Sequence, residues 1–163
     1  MTAEEREQLL EILEKIEKTS GKGKVKWHQT RDKAKFLYIT ELLNHPLFRN
    51  KFYFSTYHKT KDYLPLTVIT VARTVTAVMQ GDYEVIVLVD GLPKSRVRWF
   101  GTELRHLHIK TEKVRGVRKE ETDAGMRAAD AICGFARAAL FGPNKDLKLL
   151  FEKAVKDGYV IQL

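Results

Sequence analysis

Three aspartates stand where their type and spacing could do chemistry: Asp90, Asp123 and Asp130. Asp90 closes the aliphatic run Val85-Ile86-Val87-Leu88-Val89 and is followed by Gly91. Such a run reads as a strand buried on both faces, and open α/β sheets place their ligands at strand carboxyl ends. Asp123 and Asp130 are seven residues apart, which brings them within about 20° of each other on a helix, two turns apart. Asp130 has Met126, Ala129 and Cys133 as helical neighbours, so its carboxylate needs a partner, a metal or an exit to a cleft. If Asp90 and Asp130 converge they form a hard-oxygen site for Mg²⁺ or Mn²⁺, and paired ions of that kind hydrolyse phosphodiesters. Plainer readings stand beside this one. Asp123 can cap its helix, Arg127 or Arg137 can pair with Asp130, and Asp90-Gly91 is a common turn pair.

The chain must also supply the elements that position these groups. A helix is expected behind a Thr2/Glu5 capping box, with Leu9, Ile12, Leu13 and Ile16 inward, a Glu/Lys-rich solvated face, and Gly21 at its end. Val25-Lys26-Trp27 reads as a short extended piece. Thr30 is expected to cap a second helix over 31–44, stopped by Pro46. Residues 52–57 read as a strand. In 64–79 the β-branched content favours strand, but apolar spacing and length favour helix, with Pro65 in the first turn. After the strand to Asp90 come a helix over 93–107, a strand over 108–114 and a charged loop over 116–121. A long Ala/Gly-rich helix follows, opened by Thr122 or Asp123 and small enough in its side chains to approach a sheet closely. A last helix capped by Asn144 and a strand over 159–163 complete the chain. His106 and His108 would share a strand face if that strand began early. Alternating helices and strands imply α/β with parallel strands, in one domain over 1–163.

Composition narrows the partners. The net charge is +8, with basic clusters at Lys22/Lys24/Lys26/Arg31, at Arg96/Arg98/Arg105 and at Lys110/Lys113/Arg115/Arg118/Lys119. Interleaved with Trp27, Tyr53, Tyr57 and Trp99, they suit phosphate contact, Arg96 and Arg98 among them, although such aromatics are more often core than stacking platforms. The single cysteine, Cys133, excludes an internal disulfide and a cysteine-based metal site. No apolar run reaches the roughly 20 residues of a membrane span and the first residues are polar, so a cytoplasmic protein is expected.

Two stretches carry a family resemblance. Ile86-Val87-Leu88-Val89-Asp90, then a helix, a strand, and Arg127-Ala128-Ala129-Asp130-Ala131-Ile132-Cys133-Gly134 together resemble the domain-of-unknown-function 3800 family. That family's helix has the form Gln-Leu-Ala-Asp-x-x-Ala-Gly. Lys26-Trp27 and Lys59 match further positions of its pattern, and the resemblance runs from about Lys24 to Leu140. It implies a ribonuclease H-like mixed sheet with parallel central strands flanked by helices, and a divalent-metal nuclease. Asp90 and Asp130 would hold Mg²⁺ or Mn²⁺, Asp123 would be a third ligand or position water, and Lys26 and Lys59 would stabilise phosphate charge. Two departures follow. Arg127 replaces the usual Gln, placing a cation beside the expected metal site. The family's first strand, with its Asp-Glu-Ser-Gly-like motif and bridging carboxylate, has no match. The expectation is a chain with its N-terminal strands missing and an unpaired sheet edge through which it could form a homo-oligomer. The missing carboxylate leaves open an alternative, a non-catalytic nucleic-acid-binding or assembly module on the same fold. A third reading is an interaction domain whose carboxylates only form ion pairs.

Overall fold

A computed structural model describes residues 3–58, 61–118 and 121–163 of the chain. Lys59 lies outside the described residues, as does the Thr2 of the expected capping box. The chain forms two compact units, one from 1–53 with 123–162 and the other mainly from 54–122.

The first unit is largely helical. Helix α1 (Ala3–Thr19) is followed by a 3₁₀ turn at Trp27–Gln29, then α2 (Asp32–Asn44) and a second 3₁₀ turn at Pro46–Phe48. Strand β1 (Phe52–Phe54) pairs with the chain's last strand, β4 (Val160–Gln162). Thr30 does not cap α2 with its side chain. Arg31 occupies the cap position, and the Thr30 hydroxyl donates to the Lys26 carbonyl at 3.1 Å, closing the 3₁₀ turn instead. The expected extended piece at 25–27 is therefore a turn at its Trp27 end.

The centre of this unit is α5 (Ala124–Phe141). Ala128, Ala131, Ala136 and Ala139 are all buried, as are Ile132 and Phe135. The small side chains bring α5 close to other helices rather than to a sheet: it packs on α1, on α6 (Lys145–Lys156) and on the Trp27 turn. Phe135 meets Phe151 of α6 edge to face, with centroids 5.4 Å apart. Gly142 is the C-cap of α5, and a Cβ there would lie 2.4 Å from the Ala138 carbonyl oxygen.

The second unit is a small α/β layer. Helix α3 (Tyr63–Val78) confirms helix over strand for that segment, and the β-branched residues Val68 and Val75 line its buried side. Strands β2 (Val85–Asp90) and β3 (Thr111–Val117) are parallel, joined through α4 (Lys94–His106). Val87, Leu92, Phe100, Leu104 and Ile109 form a core with Val68 and Val75. Val85 and Val89 also face this core, whereas Ile86 is 56% exposed. The strand to Asp90 is thus covered on one face in a two-stranded sheet, not on both.

Strand β3 runs later than the expected 108–114 because α4 ends in a left-handed turn at His108, φ 61°. The His108 N–H donates to the Arg105 carbonyl at 2.9 Å and the Ile109 N–H to the Leu104 carbonyl at 3.0 Å, a Schellman cap. His106 ends the helix and His108 makes the turn, so the two share no strand face. Gly116, expected in a loop, lies inside β3 opposite Val89, where a Cβ would collide at 2.1 Å with the Leu92 backbone oxygen. The mixed α/β class is as expected.

Candidate functional site

The first unit holds a groove of about 730 Å³ along one side of α5, lined by both apolar and polar residues. Trp27 and His28 of the 3₁₀ turn, Lys35 of α2 and Asp130, Arg137 and Phe141 of α5 face it. Its floor is a clasp between the turn and the helix. Asp130 Oδ2 accepts the Trp27 backbone N–H at 2.8 Å, capping the 3₁₀ turn from another element. Four residues on, Gly134 receives the indole: a Cβ there would sit 2.1 Å from Trp27 Cδ1. The four-residue spacing of Asp130 and Gly134 therefore has a local structural purpose in this chain. The indole is buried, 8% exposed, and the Lys35 ammonium lies over it, 5.5 Å from the ring centroid. Lys35 also pairs with the exposed Asp32 at 3.1 Å, a surface contact worth little.

Asp123 caps α5. Its Oδ1 accepts the Met126 N–H at 2.9 Å and its Oδ2 pairs with Arg6 of α1. Asp123 stands at the extended N-cap position, just outside the helix that carries Asp130, and protein donors engage both carboxylates. Asp123 and Asp130 by themselves do not make a donor set for Mg²⁺ or Mn²⁺. Among the described residues there is no group of three His, Cys, Asp or Glu side chains that could hold a metal ion. Cys133 reaches solvent at the groove, and crowding by surrounding protein, followed by the Asp130 charge, pushes its thiol pKa up.

Arg127 neither pairs with Asp130 nor lies loose beside it. It forms a bidentate pair with Glu17 of α1, Nε to Oε1 at 2.7 Å and the second nitrogen to Oε2 at 2.8 Å. Lys22 donates to the same Glu17 Oε1 at 3.3 Å and to the Val25 carbonyl at 3.0 Å. Glu17 and Lys22 are 1% and 3% exposed. The hydrogen bonds that Arg127 donates to Glu17 hold its guanidinium above its ordinary pKa, and burial pushes the neighbouring Tyr38 phenol up. Glu17 thus departs from the solvated face expected for the Glu residues of α1. A signal existed, since Glu17 falls four residues after Leu13 on the buried stripe.

In the second unit, Asp90 is exposed at the carboxyl end of β2, and Gly91 turns the chain with φ 68°. The Gly91 N–H donates to the Val117 carbonyl at 3.1 Å. Arg96 and Arg98 are exposed on α4. Arg96 lines a depression of about 230 Å³ with Lys61, Tyr63 and Trp99. On β3, Lys113 and Arg115 lie opposite Ile86 and Leu88, so a basic strand accompanies the less covered face of β2. Lys26, in the first unit, precedes Trp27 at the cap position of the turn and is half-buried.

Asp90 and Asp130 belong to different compact units, each with its own surroundings. No family model, curated protein or solved structure matches the chain. No helix among the described residues is long and apolar enough to cross a membrane.

Proposed function

We propose that the chain is a nucleic-acid-binding module that holds its polyanion through cation contacts. The observation that carries this reading is the groove along α5, which Arg137, Lys35 and His28 line together with Trp27 and Phe141. The +8 net charge and the Lys61/Arg96 depression of the second unit support it. Phosphate contacts of this kind give affinity that falls steeply with salt, through counterion release. The engagement of Asp123 by Arg6 and of Asp130 by Trp27 counts in favour of binding over cutting.

The test is fluorescence anisotropy of labelled DNA and RNA over a salt series. The expected result is a negative slope of log K against log salt. Arg137→Gln and Lys35→Gln should each weaken binding and reduce that slope by about 0.7–0.9. Binding that is absent, or indifferent to both substitutions, would sink the reading.

The position of Asp90 at an exposed strand end favours a second reading, a divalent-metal phosphodiesterase of ribonuclease H-like type. Mn²⁺-dependent cleavage of the same oligonucleotides, lost in Asp90→Asn, would support it. Metal-independent binding with no cleavage would favour the binding module.

A further inference from the structure

We infer that the α5 groove selects single-stranded nucleic acid, with one base stacking on Phe141 and its flanking phosphates held by Arg137 and Lys35. This rests on the nucleic-acid-binding reading above and names the form of the polymer. Phe141 is the last residue of α5 and is 62% exposed, although it lines a groove bordered by cations. Arg137 is one helical turn before it, and side chains four apart lie on the same face. A base seated on Phe141 therefore has a guanidinium within one turn for its phosphate.

Trp27 is not the stacking platform. Its ring is inserted against Gly134 and overlain by Lys35, and it is 8% exposed. The Asp130 carboxylate that also lines the groove repels phosphate, which favours a backbone lying toward Arg137 and Lys35. The volume of about 730 Å³ is within the range of small-ligand pockets. A duplex keeps its base faces stacked internally and can offer this groove only phosphates. A single strand offers both phosphate and a free base face, which is what an exposed aromatic beside cations recognises.

The experiment uses the full chain and two probes of about 12 units, near the usual site size of such grooves: a fluorescein-labelled oligothymidine and a mixed-sequence duplex. The wild-type protein should bind the single strand more tightly at equal salt. Phe141→Leu should weaken single-strand binding by roughly five- to a hundredfold, leave duplex binding unchanged and leave the salt slope unchanged. Phe141→Tyr should restore it. Phe141 is exposed, so these variants leave the core intact, and a thermal melt checks this. Salt-sensitive binding with equal affinity for both probes, or an equal loss on both in Phe141→Leu, overturns the stacking inference while leaving the binding module standing. If neither probe binds, the binding module and this inference fall together.

Discussion

The carboxylate of Asp130 caps the backbone of Trp27, residues 103 positions apart in sequence and 2.8 Å apart in space. A side chain whose neighbourhood suggests metal chemistry is thereby assigned a mechanical task. It fixes the start of a 3₁₀ turn against α5, and the turn carries the indole that fills the space over Gly134.

The roles of acceptor and charge can be separated at this position. Asp130→Asn keeps a side-chain oxygen in reach of the Trp27 N–H, whereas Asp130→Ala leaves that N–H without it. The alanine variant should lose about 1–2 kcal/mol, as helix caps and hydrogen-bonded polar groups do. The asparagine variant should stay within about 0.5 kcal/mol of wild type. Urea unfolding followed by circular dichroism measures both. Equal losses in the two variants would show that charge, not the acceptor, holds the turn.

Gly134 invites the opposite kind of test. In an open helix, Gly→Ala adds about 0.5–1 kcal/mol of stability. Here the added Cβ meets three indole atoms at 2.1–2.7 Å, and an aromatic ring wedged in a turn cannot yield as a flexible chain end can. Gly134→Ala should therefore destabilise by about 1–3 kcal/mol and expel the indole. With Trp99→Phe as background, a red shift in tryptophan emission reports Trp27 directly. Gly125→Ala, in the first turn of the same helix, is the control. Its Cβ meets only Asp123 Oδ1 and Leu10 Cδ2, both at 3.3 Å, so it should be near neutral. A stabilised Gly134→Ala would refute the wedge.

The buried cluster of Glu17, Lys22 and Arg127 contains one anion and two cations. Removing the anion leaves two buried cations facing each other, while removing Arg127 leaves the Glu17–Lys22 pair balanced. Glu17→Gln should therefore cost about 3–5 kcal/mol, the range for breaking a buried pair from one side. Arg127→Met should cost clearly less, because its stem is replaced by apolar packing. The comparison of the two urea midpoints is the measurement, and a greater loss in Arg127→Met would contradict the charge argument.

These residues also show why some features were legible in the sequence and others were not. The α3, α5 and α6 helices and the strand to Asp90 follow from periodicity and caps: Asp123 accepts Met126 N–H and Asn144 accepts Leu147 N–H as their types suggest. What periodicity could not show was pairing between distant segments. The partner of Asp130 is a backbone N–H, and a backbone donor leaves no mark in composition. Arg127 chose Glu17 over Asp130 because α1 packs on α5, a tertiary choice that helix-face spacing does not encode. The full burial expected for Val85–Val89 failed because only one face of its two-stranded sheet is covered by α3 and α4, leaving Ile86 exposed. Strand β3 starts later than its apolar pattern suggests because its upstream helix stops without a glycine, at His108.

That glycine-free stop supplies the last prediction. His108 holds φ 61° at the end of α4, a conformation costing an L-residue roughly 1–2 kcal/mol. It is retained because two capping hydrogen bonds and the burial of Ile109 beside Leu104 require the turn. The His108 side chain itself is exposed, so its removal forfeits little contact. His108→Gly relieves the steric cost but adds backbone freedom to the unfolded chain, which offsets part of the gain. The net expectation is about 0.5–1 kcal/mol of added stability, or a rise in Tm of roughly 1–4 °C for a chain of this size. Gly158 provides the mirror case. It caps α6 with φ 76°, and its N–H donates to the Val155 carbonyl at 3.1 Å. Gly158→Ala should lower Tm by a similar or larger amount. Scanning calorimetry of the two variants reads opposite signs if both helices end by left-handed caps. A lower Tm in His108→Gly would mean that the histidine ring contributes contacts that outweigh its strained backbone.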